Sequence, residues 1–185
     1  MNTTLDKNNP KEFINTLKNI TYNKKVLFAC VGTDRSTGDS LGCLTGSFLK
    51  ELGYNVVGTL DNPLHAENLI GKVAKINKMH VDLVIVIDAC LGKMENISKI
   101  RLENCPLKAG TAVGKDLIEF GDYSLTGVVN IGGFMEFHIL QNTRLSVVMN
   151  MSKFIVNIIK IAMPLDKNKY IKSIFGFKKI NLERS

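Results

Sequence analysis

Short apolar runs alternate along the chain with stretches whose apolar residues recur at helical spacing. Residues 25–31 (KVLFACV) are apolar almost throughout, as expected of a strand covered on both faces. Residues 54–59 (YNVVGT), 81–89 (VDLVIVIDA) and 125–131 (LTGVVNI) repeat that pattern, while 97–102 and 107–111 are weaker strand candidates. Between them, residues 11–20 predict a short amphipathic helix through Phe13, Ile14, Leu17 and Ile20. Leu41, Leu44, Phe48, Leu49 and Leu52 predict a second helix, with Gly53 as its stop. Residues 65–78 predict a third, with Leu69, Ile70, Val73 and Ile76 inward. Residues 144–163 are apolar enough to raise the question of a membrane span, but Ser146, Asn150, Lys153, Asn157 and Lys160 form a polar stripe on one face. A spanning helix would not keep two lysines there, so the expectation is a well-buried surface helix ended by Pro164, and no membrane partner.

Strands that alternate with helices and are apolar on both faces predict an α/β fold, a three-layer α/β/α sandwich around a mostly parallel sheet. The expected organisation is a polar N-terminal segment with a short helix (1–24), one α/β domain (25–164) and a basic C-terminal tail (165–185). At 185 residues and 45% hydrophobic, the chain is long enough for one real core, and no fixed repeat runs through it. The first 23 residues are polar and carry no apolar signal-peptide core, which points to the cytoplasm. The net charge of +7 lies in the two terminal segments, +3 in residues 1–25 and +4 in 165–185, around a neutral body. A nucleic-acid-binding core is therefore not expected, since it would need a clustered basic face. Cys30, Cys43, Cys90 and Cys105 form no C-x-x-C and read as reduced, partly buried thiols.

Three polar, Gly-rich loops follow strand-like runs: residues 32–42 (GTDRSTGDSLG), 88–92 (DACLG) and 109–116 (AGTAVGKD). Parallel strands would bring all three to one sheet edge, where α/β folds bind ligands. The first loop has neither the G-x-G-x-x-G of a dinucleotide site nor the Lys of a P-loop, and Asp39 stands where a phosphate would be repelled. Asp39 has a bland reading as a helix N-cap, and Asp88 as a strand-end residue capping a turn. Yet a carboxylate closing a long apolar run is costly to bury alone. Two such Asp facing each other suit either a shared-proton acid–base pair or a divalent metal that activates water. Asp34 and Arg35 are candidate substrate contacts beside them, with a solvated loop pair as the plainer reading. Ser36, Thr37 and Ser40 have no patterned His to activate them, and thiols at Cys43 and Cys90 would be made less reactive by the carboxylates.

Taken together, VGTDRSTGDSLG, VIVIDACLG, AGTAVGK, GVVNIGG and LQNTRLSVV closely resemble the YyaC family of spore proteins, over about residues 24–163. That family is similar to the spore germination protease and, more distantly, to the hydrogenase maturation endopeptidases. The resemblance implies a phosphorylase/hydrolase-like sandwich in a forespore or mother cell. It implies an endopeptidase with Asp39 and Asp88 as catalytic residues, and with Gly110, Thr111 and Gly114 in a loop that orients the substrate or its oxyanion. A protein or peptide substrate follows, small acid-soluble spore proteins by analogy. The maturation endopeptidases hold a metal through two acidic residues and a His. Here Asp39 and Asp88 match the acids, while His65, His80 and His138 lie outside the matching loops, so no cofactor is expected. The alternative is a binding or regulatory protein of sporulation that keeps the fold and cuts nothing.

Overall fold

All five residues of β2 (Val26–Cys30) are buried, so this strand needs cover on both faces. Val26, Phe28 and Cys30 enter one apolar cluster, and Leu27, Ala29 and Val31 the other, as strand alternation requires. In the computed structural model, which describes residues 3–5, 10–109 and 118–165, both clusters are closed. The chain runs β1 (Thr3–Leu5), α1 (Pro10–Thr21), β2, α2 (Ser40–Glu51), β3 (Val56–Val57), α3 (Leu69–Ile76), β4 (Leu83–Gly92) and β5 (Ile100–Glu103). It continues through β6 (Leu107–Ala109), β7 (Ile118–Phe120), β8 (Tyr123–Ile131), α4 (Glu136–Gln141) and α5 (Leu145–Ala162). Six strands form one sheet in the order β1-β5-β8-β4-β2-β3. β8, β4, β2 and β3 are mutually parallel, and β5 lies antiparallel to β8 and to β1.

α1, α2 and α5 cover the first face through Phe13, Leu41 and Ile155 among others, and α3 with the β6–β7 hairpin covers the second through Leu69, Val73, Leu107 and Phe120. The predicted α/β layering is present, with a hairpin sharing the second outer layer. Among the described residues α5 alone is long and apolar enough to cross a membrane. Eight of its residues, including Val148, Met151 and Ile159, are buried here, as in a core helix.

Three elements differ from the hydropathy pattern. β4 does not end at Ala89. It continues to Gly92, because β8 offers it backbone partners that no apolar run announces. The third helix starts only at Leu69, since Asn68 Oδ1 accepts the His65 N–H at 3.0 Å and closes a turn first. The N-terminal segment contributes to the sheet and core: β1 pairs with β5, and α1 buries Phe13 and Leu17. The tail beyond residue 165 lies outside the described residues.

α2 sits unusually close to the sheet. A methyl group at Gly42 would overlap the Val31 carbonyl, and one at Gly46, a turn later, would overlap the Gly58 carbonyl. Gly32, at φ 154°, likewise makes room for the Asp39 carbonyl. Across its other side α2 is tied to α5 by a buried Thr45 Oγ1–Ser152 Oγ hydrogen bond of 2.8 Å. Gly42→Ala and Gly46→Ala should therefore each lower stability. Overpacking costs about 1–3 kcal/mol, which outweighs the gain of about 1 kcal/mol in helix propensity. Denaturant titration checks this, and a raised midpoint would contradict the close approach.

Candidate functional site

The sheet order β3-β2-β4 means that the chain leaves β2 to one side and returns on the other. Such a reversal opens a crevice at the carboxyl ends of the strands. β2 ends at Cys30, opposite Ile87, and the Val31 N–H still reaches the Ile87 carbonyl at 2.8 Å. The chain then turns away: the Gly32 N–H donates to the Leu64 carbonyl at 2.8 Å. β4 runs on beside β8, so Asp88 is the first residue of β4 beyond the last paired position of β2. Asp39 follows the loop after β2 and stands at the head of α2. The two predicted carboxylates thus reach one crevice, and the charge on Asp39 is felt at Asp88.

Asp39 occupies the N-cap position in an αR conformation, and its side chain makes no capping hydrogen bond. The carboxylate is thus not consumed by the helix. The loop around it is fixed by backbone: Gly38 N–H to the Leu140 carbonyl at 2.8 Å, and Thr33 N–H to the Asp39 carbonyl at 3.3 Å. The Ser40 hydroxyl donates to the Thr37 carbonyl at 2.7 Å. Burial raises the Asp39 pKa, and the neighbouring Ser36 hydroxyl pulls it down. Ser36 is itself buried beside Asp39.

Asp88 is half-buried as a residue, with its carboxyl group enclosed by protein. Burial pushes its pKa up to about 8, the Asp39 charge adds to the rise, and the Ala89 N–H on Oδ1 at 2.8 Å opposes it. Two carboxyls near enough for the charge of one to raise the other are an arrangement that general acid–base chemistry uses. Cα pairing places Thr126 of β8 beside Asp88, and a register shift follows between Cys90 and Leu91.

The other predicted residues stand further out or lie elsewhere. Asp34 and Arg35 are exposed on the loop, where the Arg35 backbone N–H donates to Thr33 Oγ1 at 3.3 Å. Gly110, Thr111 and Gly114 lie outside the described residues. Burial, with smaller contributions from Asp34 and Asp39, pushes the Cys43 thiol up to about 11, and burial also raises Cys90. Neither thiol is poised as a nucleophile. His65 accepts the Glu67 N–H at 3.3 Å, and His80 and His138 are exposed. Among the described residues no three His, Cys, Asp or Glu side chains converge, so these donors do not fit the metal set of two acids and a His. Two surface cavities, of about 220 and 550 Å³, are lined by residues of β3 and α3 and by residues around α1. Neither includes a carboxylate of the pair, and neither carries comparable chemistry.

Two features escape the sequence reading. Ser36 is indistinguishable from a solvated loop serine until its burial is known. The other is an apolar rim after β8, with Phe134 91% exposed beside Met135 and Phe137, legible only as the string GGFMEF.

The raised Asp88 pKa has a defined consequence for stability. Its folded-state value exceeds the unfolded one, so the folded protein favours the protonated form. Stability is then fully present below about pH 4 and is lost as pH rises towards 8, at up to about 1.4 kcal/mol per pH unit from this group. Asp88→Asn should remove that decline and leave the variant more stable than wild type at pH 9. Denaturant midpoints across pH 5–9 check it, and parallel curves for both proteins would contradict it.

Comparisons agree with this architecture. The hydrogenase maturation protease HycI from Thermococcus kodakarensis KOD1 superposes with a TM-score of 0.53 at 18% identity, over 78% of this chain and 99% of that one. HybD from Thermococcus kodakarensis gives 0.50 at 15% identity, over 73% and 96%. These likenesses concern the fold. The uncharacterized protein YyaC of Bacillus subtilis (strain 168) is 48% identical over 133 residues, 70% of this chain and 65% of that relative's length. The family model described as "Protein of unknown function (DUF1256)" matches residues 1–158, and the chain belongs to that family.

Proposed function

We propose that this protein is an endopeptidase that hydrolyses peptide bonds with Asp39 and Asp88, acting on a protein substrate in a spore-forming cell. The observation that carries the reading is the placement of the pair: Asp88 stands on β4 just beyond its last β2 partner, Asp39 stands at the head of α2 with no capping bond, and the Asp39 charge reaches Asp88 and helps raise its pKa. The Asp39 carboxylate takes a proton from water as the oxygen attacks the peptide carbonyl. Protonated Asp88 gives its proton to the leaving amine as the carbon–nitrogen bond breaks, and the proton taken up by Asp39 then restores the pair. The maturation-protease fold supports a peptide substrate, and the sporulation setting rests on the resemblance to YyaC and the germination protease. Small acid-soluble spore proteins are the first substrates to try.

Asp39→Asn and Asp88→Asn should each reduce cleavage by roughly 10²–10⁴-fold, with folding intact by circular dichroism. The rate should rise with pH as Asp39 ionises, above the ordinary carboxylate range, and fall near pH 8 as Asp88 loses its proton. These limbs belong to the coupled pair. Full activity in both Asn variants would sink the reading, and a wild type that cuts nothing in a broad protein panel would favour a non-cutting binding role.

A further inference from the structure

One long side of β4 is left open at the site. β2 stops pairing at Cys30, and from Asp88 to Gly92 the only strand partner of β4 among the described residues is β8. The Ile87 carbonyl faces the β2 side, where it accepts the Val31 N–H. Strand alternation turns the backbone groups of Ala89 the same way, and beyond the register shift the Gly92 carbonyl faces β8, where it accepts the Gly132 N–H, which leaves Leu91 facing the open side. There the Ala89 N–H is met by the adjacent Asp88 Oδ1 at 2.8 Å. Residues 89–92 are Ala, Cys, Leu and Gly, all half-buried, without the Lys or Pro that blunts an exposed edge.

An apolar rim follows β8, in a segment tied to the end of β4 and, through the Leu140 carbonyl and the Gly38 N–H at 2.8 Å, to the loop that carries Asp39. The Gly132 N–H donates to the Gly92 carbonyl at 2.7 Å, which anchors the segment after β8 to the far end of β4. Of the eleven exposed large apolar side chains among the described residues, Ile131 ends β8 and five more, Met94, Phe134, Met135, Phe137 and Leu145, follow the ends of β4 and β8. Residues 131–135 carry no charge. Exposed apolar surface gathered beside a crevice marks a binding surface.

We propose that an extended polypeptide segment with apolar side chains adds as a strand along the open edge of β4 at Ala89–Leu91, resting side chains on Phe134, Met135 and Phe137 and carrying one of its carbonyls past Asp88. Backbone hydrogen bonds supply affinity, and the rim supplies the preference for apolar residues. The Ala89 N–H exchanges Asp88 Oδ1 for a substrate carbonyl, which releases that carboxyl oxygen towards the substrate. This inference rests on the catalytic reading of the pair, and its test separates the two.

The probe is β-casein, an unfolded apolar chain. In the Asp39→Asn protein, casein should slow amide hydrogen exchange at Ala89 and Leu91 by at least about tenfold. In the protein with Asp39 intact, Leu91→Pro, which removes an edge N–H where a free edge tolerates proline, should reduce casein cleavage at least about tenfold. Leu91→Ala, which keeps the N–H, should lose less, and Phe134→Ser should weaken binding without shifting the pH profile. If Leu91→Pro fails to fold, the exchange data decide. Protected edge amides without cleavage by wild type would support the inference and overturn the peptidase reading. Cleavage unaffected by Leu91→Pro, with both amides unprotected, would overturn the inference and leave the peptidase reading standing. Neither binding nor cleavage would count against both.

Discussion

The close approach of α2 to the sheet governs the rest of the structure. Gly42 and Gly46 let the helix backbone lie against the carbonyls of Val31 and Gly58, where any side chain would hold it off. Gly32 admits the Asp39 carbonyl at the same seam. The head of α2 is thereby drawn down to the end of β2, and with it the Asp39 side chain. A helix riding at ordinary side-chain distance would carry that carboxylate away from Asp88. The Thr45–Ser152 hydrogen bond holds α2 from its other flank, so the position of Asp39 is set by the core rather than by the loop alone.

The second determinant is the unequal length of neighbouring strands. β2 ends where β4 still has five residues to run. That mismatch places Asp88 beyond the last parallel partner on one side while β8 holds it on the other. A carboxyl group enclosed there keeps its proton, and a nearby Asp39 reinforces this. Asp39 has a buried hydroxyl for a neighbour and titrates under a different balance. Burial raises both carboxyls, and at Asp88 the neighbouring Asp39 charge adds to the rise.

Much of this was legible in the sequence. Both-face apolar runs such as KVLFACV announced buried parallel strands, because burial on two sides leaves no polar alternation. Asp39 and Asp88 stand out in the sequence as carboxylates at loop and strand ends that parallel strands could bring to one crevice. The extent of β4 was not legible, since a strand that continues past its apolar run is sustained by backbone pairing, which leaves no hydropathy mark. The antiparallel β5 and the pairing of β1 were hidden for the same reason. Ser36 and the Phe134–Phe137 rim depend on burial and exposure, properties of the folded chain alone. The loop containing Gly110, Thr111 and Gly114 lies outside the described residues, and its place at the site remains a proposal.

The most direct measurement is a carbon-13 NMR titration of the Asp88 carboxyl group in wild type and in Asp39→Asn. The account predicts a midpoint near 8 in wild type, moving down when the Asp39 charge is removed. A midpoint near 4, unchanged by that substitution, would mean that Asp88 is an ordinary solvated carboxylate and that the two residues do not form one acid–base pair.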